Sequence, residues 1–160
     1  MQVEPGSLIS VNFIVCEEII EEPGDAAVSV RRIADVFVVR DLTPSPDPAD
    51  IELVPIQIAA LMKFDNEHPR DHSATIQLVY PDDSIVDVIP FIEMPVHTAK
   101  SAVKNSPFGH ANSTHSFSVL AGVRLGVEQL GRHYLTLQID GKLVAREPLT
   151  FALRSWLAGA

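Results

Sequence analysis

Among the residues of this 160-residue chain that could do chemistry, six histidines stand out. Their tightest spacing is His68-Pro69-Arg70-Asp71-His72, with Asp65 just upstream. Two imidazoles and a carboxylate on one loop form a donor set that zinc accepts. A His-x3-His pair converges best when a helix turns both rings to one face, and Pro69 with Arg70 works against that. A polar turn between two strands explains the same residues, with His72 opening the second strand. His68, His72 and Asp65 therefore form a metal-binding alternative, and no cofactor is expected.

Other chemistry is fainter. Asp41, Asp47 and Asp50 with Asp82 and Asp83 could offer oxygen ligands to calcium, but they lack every-second-residue clustering, and aspartate is common in turns. Ser113-Thr114-His115 lacks the strained Gly-x-Ser-x-Gly elbow, and no glycine-rich phosphate cradle occurs. Glu17, Glu18, Glu21 and Glu22 crowd one hairpin and would make an acid/base pair only inside a pocket. Cys16 ends the apolar run Phe13-Ile14-Val15-Cys16, where a thiol behaves as a small hydrophobe, and the two glutamates after it disfavour a thiolate. Asn112-Ser113-Thr114 matches a glycosylation acceptor by chance. No enzymatic activity is expected.

Surface recognition is what remains. The segment 93–113 mixes the apolar anchors Met94 and Phe108 with His97, Lys100, Lys104 and His110. Such a mixture suits contact with a partner. Trp156, in the tail 155–160, either folds back on a sheet or is covered by another chain.

Composition frames these candidates. With 46% hydrophobic and 21% charged residues and a net charge of -9, the chain reads as one mildly acidic globular domain over 1–160. Its apolar content excludes disorder, and no 18-residue stretch is free of charge, Pro and Gly, which excludes a membrane-spanning helix. No signal-peptide pattern opens the sequence, so the expected location is cytoplasmic. Residues 1–100 hold 6 basic and 18 acidic side chains, and residues 101–160 hold 6 and 3. Nucleic-acid binding, which needs a clustered basic face, is disfavoured.

Period-two alternation positions everything else. Phe117, Val119, Ala121, Val123, Leu125 and Val127 form one long strand; Ile56, Ile58, Ala60, Met62 and Phe64 form another; Ala74, Ile76, Leu78 and Tyr80 a third. Leu135, Leu137 and Ile139 run into Asp140-Gly141, a hairpin signal because both turn positions favour positive φ. The runs 11–20 and 28–39, joined across Pro23-Gly24, read as a hairpin, with a β-bulge at Arg31-Arg32 where the apolar phase reverses. Strands at 85–91 and 149–153 complete about eight. An antiparallel β-sandwich follows, with a closed barrel as the alternative. The segment 41–50 is a proline-stiffened connector, and 93–113 is a long loop that could hold a short helix over 98–104.

The carboxyl-terminal third, Leu130-Gly131-Arg132-His133-Tyr134-Leu135 through Asp140-Gly141 to Glu147-Pro148-Leu149, resembles a pattern in a group of small bacterial β-sandwich proteins with no assigned activity. The run Phe13-Ile14-Val15-Cys16-Glu17 is similar to that group's opening. The Gly-x-Tyr-like entry to a strand is also similar to immunoglobulin-like domains, although counting back from Asp140 puts His133 at the aromatic position and Tyr134 on the opposite face. The resemblance implies an immunoglobulin-like or C2-like fold and a bacterial origin, and no catalytic residues. The combined expectation is a non-enzymatic protein-interaction or assembly module, self-associating or binding a protein partner, without nucleic acid or membrane. The alternative is a metal-dependent ligand-binding or hydrolytic sandwich using the 65–72 loop.

Overall fold

The computed structural model describes residues 8–21, 28–33, 35–39, 52–65, 70–95 and 114–153. Among them the chain is all-β. Nine strands run in order: β1 (Leu8–Glu21), β2 (Val28–Ile33), β3 (Val36–Val39), β4 (Glu52–Asp65), β5 (His72–Val79), β6 (Ile85–Met94), β7 (Thr114–Val127), β8 (Gly131–Ile139) and β9 (Lys142–Leu153). They form a four-stranded sheet, β2-β1-β4-β7, and a five-stranded sheet, β3-β9-β8-β5-β6. No described helix is long and apolar enough to cross a membrane.

Alternation decides what each sheet buries. Along β4 the residues Val54, Ile56, Ile58, Ala60, Met62 and Phe64 are all buried, while Leu53, Pro55, Leu61 and Lys63 between them are exposed. Along β5, His72, Ala74, Ile76 and Leu78 turn inward. These rows meet Phe13 and Val15 of β1 and Leu135, Leu137, Leu149 and Phe151 of β8 and β9 in a single hydrophobic cluster shared by both sheets. Burying one large apolar side chain contributes roughly 1.5–3 kcal/mol, so this shared row is the main source of stability.

Two expectations are corrected by the register. No bulge occurs at Arg31-Arg32, because β1 and β2 pair evenly from Glu21↔Val28 to Cys16↔Ile33. The segment 28–39 is also two strands and not one: β2 lies in one sheet, and β3, after a break past Ile33, lies in the other. Nor is the architecture wholly antiparallel. β3 runs parallel to β9, from Val36↔Thr150 to Val39↔Leu153, and the Thr150 N–H also donates to the Asp35 carbonyl at 2.6 Å. The expected helix at 98–104 and the connector at 41–50 lie outside the described residues.

Phe64, with no exposed surface, ties the core together by packing edge-on to Phe117 at 5.9 Å and flat on His72 at 4.1 Å. Phe64→Ala should lower stability by about 3–5 kcal/mol, whereas Lys63→Ala, on the exposed face, should stay within about 0.5 kcal/mol. Urea denaturation of the two variants checks this, and equal losses would contradict the facing assigned to β4.

Candidate functional site

The hairpin between β8 and β9 begins the site. Asp140 and Gly141 form a two-residue turn with φ of 50° and 78°, the geometry that favours Gly at the second position. Turn chemistry alone would accept Asn at 140. Here the carboxylate does more: one oxygen, Oδ2, accepts from His72 Nδ1 at 2.6 Å, and the other, Oδ1, accepts from the Ser73 N–H at 3.0 Å. The Asp140 N–H in turn donates to the Ser73 carbonyl at 2.9 Å. Three short bonds thus fasten the turn to the first residues of β5. Arg70 adds a longer ion pair, 3.7 Å from Oδ2.

Burial pushes the Asp140 carboxyl up, but the bonds from His72 and Ser73, with the charges of His72 and Arg70, outweigh it and hold the group below the ordinary 3.8. Asp140 is therefore an anion at neutral pH. Since carboxylate oxygens only accept, the His72 Nδ1 carries the proton, and its Nε2 is buried without a hydrogen-bond partner.

A cleft of about 400 Å³ opens beside this pair, lined by Asp71, His72, Ser73, Phe91, Glu93, Met94, Pro95 and Asp140. Glu93 pairs with Ser73 in the β5–β6 register, so two carboxylates flank one residue: Glu93 by strand pairing and Asp140 by hydrogen bonding. Phe91, 63% exposed, gives the cleft an open aromatic wall.

The sequence-derived candidates fare unevenly. Met94 is 1% exposed and belongs to the core cluster, so it closes the floor of the cleft and is no surface anchor. Its position opposite His72 in the register explains this, since paired residues share a face. His97, Lys100, Lys104, Phe108, His110, Trp156 and His68 lie outside the described residues. Asp65 ends β4, half-buried. Among the described residues no group of three or more His, Cys, Asp or Glu could hold a metal. Asp82 behaves as a turn residue: Ser84 N–H at 3.0 Å, Ser84 Oγ at 2.6 Å and Gln129 Nε2 at 2.9 Å donate to it. Cys16 is fully buried, its thiol pushed up by that burial, with Sγ 3.7 Å from the Gln57 carbonyl.

Sequence reasoning placed His72 at the start of a strand but missed Asp140 as its partner. The two are 68 residues apart, and the Asp-Gly signal was fully used up by the turn. The parity argument at 133 and 134 succeeds. His133 has no exposed surface and packs edge-on to Phe151 at 4.8 Å and Tyr80 at 5.3 Å, while Tyr134 faces outward beneath the Arg146 guanidinium, 3.5 Å from its ring centre. Gly131, at a φ of 106°, turns its carbonyl to accept from His133 Nδ1 at 3.0 Å.

No family model matches this chain, and no curated protein does either. Among solved structures it is similar to the Pseudomonas fluorescens alkylpurine DNA glycosylase AlkC bound to DNA containing an abasic site analog, at 7% identity and a TM-score of 0.39. That likeness covers 87% of this chain and 30% of the other, so this chain spans less than a third of that protein. The expected role as a protein-interaction or assembly module is not carried forward: the structural neighbour is a DNA glycosylase, and nothing in the likeness supports an assembly role. A likeness this distant assigns no activity in exchange.

Burial pushes the His133 imidazole below its ordinary 6.5, despite the opposing Gly131 bond and Asp82 charge. The unfolded chain therefore takes up a proton at a higher pH than the folded one. Stability contributed by neutral His133 is complete above 6.5 and is lost as pH falls from there through the depressed folded value. Urea midpoints measured from pH 7.5 to 5.5 should fall in the native chain and fall less in His133→Leu. Parallel slopes would contradict the assignment.

Proposed function

We propose that this chain is a non-catalytic, immunoglobulin-like β-sandwich that binds a small organic cation in the cleft beside Asp140. The sandwich reading draws on strand order. β1-β4-β7 in one sheet, facing β9-β8-β5-β6 in the other, corresponds to the A-B-E and G-F-C-C′ orders of immunoglobulin-like domains. His133, near the start of β8, stands where such domains often place a corner tyrosine.

The observation that carries the binding reading is the lining of the cleft. Carboxylates from three places, Asp71, Glu93 and Asp140, face a volume bounded by Phe91, Met94 and Pro95. About 400 Å³ falls within the range of small-ligand pockets. The carboxylates favour positive charge, and an exposed aromatic face favours a cation by about 0.5–1 kcal/mol while accommodating an apolar arm. The acidic lining also opposes nucleic acid, whose phosphates would be repelled.

The facing of adjacent residues supports the non-catalytic reading. Ser73, His72 and Asp140 are within one hydrogen-bonded group and would be the material of a nucleophilic triad. Neighbours along a strand point to opposite sides, and β5 buries His72 while leaving Ser73 half-exposed. The hydroxyl is thereby kept from the imidazole, and the free nitrogen, Nε2, is shut off from solvent.

Titration with 2-phenylethylammonium should give saturable binding, with phenylacetate giving none. Glu93→Gln and Phe91→Ala should each weaken it by about two- to fivefold, on the scale of one exposed charge or cation–π contact. Calorimetry supplies the affinity, and amide chemical shifts should move at 71–73, 91–95 and 140. Equal binding of the carboxylate analogue, or shifts scattered over both sheets, would remove this reading.

A further inference from the structure

The cleft already has a cation of its own chain at its edge. Arg70 reaches Asp140 from the residue pair before β5, with its Nη2 3.7 Å from Oδ2 and its side chain 56% exposed. That distance is too long for a hydrogen bond, so the planar fork of the guanidinium, which suits two-point contact with a carboxylate, is engaged here by charge alone. Exposed pairs of this kind are weak and readily exchanged. His72, with a side chain only 2% exposed, lines the cleft and keeps Nε2 without a partner.

We infer that Arg70 is an internal competitor for the cation subsite and that the ligand presents a guanidinium on an apolar arm. This rests on the cleft reading above and deepens it. Arg70 shows which group the Asp140 corner accepts, and its loose geometry shows that the corner can release it. A ligand guanidinium entering from the Phe91 side would take the two-point contact that Arg70 does not make, with Glu93 on its other flank. No covalent step is involved, and the exchange conserves charge at the carboxylate.

The experiment compares the full chain with its R70Q and R70K variants, each titrated with 2-phenylethylguanidinium and with 2-phenylethylammonium. Arg70 is exposed, so both variants should keep the native circular dichroism spectrum and urea midpoint. R70Q should bind the guanidinium about two- to fivefold more tightly than the native chain, the range expected for removing one exposed ion pair. R70K keeps the positive charge and loses the fork, and since Arg70 holds the corner by charge alone it should bind the guanidinium as the native chain does. Tightening in R70Q with R70K unchanged, and a native preference for guanidinium over ammonium, supports the competition. Native binding with affinity unchanged or weakened in R70Q overturns the competition and leaves the cleft standing. Equal tightening in R70K also overturns it, since the competing charge is still present there. Failure of every chain to bind either cation removes the cleft reading itself.

Discussion

Two-residue alternation along β4 is the constraint on which the rest of the fold depends. This strand lies inside its sheet, paired with β1 on one side and β7 on the other, and its inner row from Val54 to Phe64 is buried throughout. Shifting its pairing by one residue would exchange that row for Leu53, Pro55, Leu61 and Lys63, leaving a lysine and a proline facing the five-stranded sheet. The cost of that exchange fixes the register of β1 and β7, and through Phe64 it fixes where His72 can sit. The stacked Phe64 and His72 rings carry the order of one sheet into the other.

From that contact the site is assembled with few free choices. His72 is held inward by its place on β5, so its Nδ1 has one direction in which to find an acceptor. The β8–β9 turn lies beside β5 because Ala74 pairs with Ile139, which brings Asp140 within reach of both His72 and Ser73. An aspartate at a hairpin turn is ordinary. An aspartate that also closes a neighbouring strand and accepts from a buried imidazole is an interaction hub, and its donors, acting against the desolvation, are what keep it ionised. The acidic character of the cleft thus follows from how the strands are fastened.

Much of the fold could be read from particular residues. The Asp140-Gly141 turn, the alternating rows of β4, β5 and β7, and the inward His133 beside the outward Tyr134 all follow from local pattern, since parity and turn conformation are properties of a few consecutive residues. What escaped were long-range relations. The segment 28–39 reads locally as one apolar strand, and only its long-range pairing divides it into β2 and β3 in different sheets. Met94 borders a polar segment and so reads locally as a surface anchor, and only its pairing with His72 shows that it faces the core. The link between His72 and Asp140 spans 68 residues and leaves no mark in either neighbourhood.

The parallel pairing of β3 with β9 has a bearing on how the molecule is made. Val36 to Val39 pair with residues 150–153, which are synthesised after the other described strands. Until then β3 has no partner and Phe37 has no Phe151 to pack against, 5.9 Å away in the finished protein. The four-stranded sheet can zip up while translation continues, since all its members precede residue 128. The β3–β9 pairing must wait for chain closure over a long separation, a step that is intrinsically slow. During that interval an apolar strand stands unpaired, the kind of transient edge that invites aggregation, so the order of synthesis bears on how this domain is made.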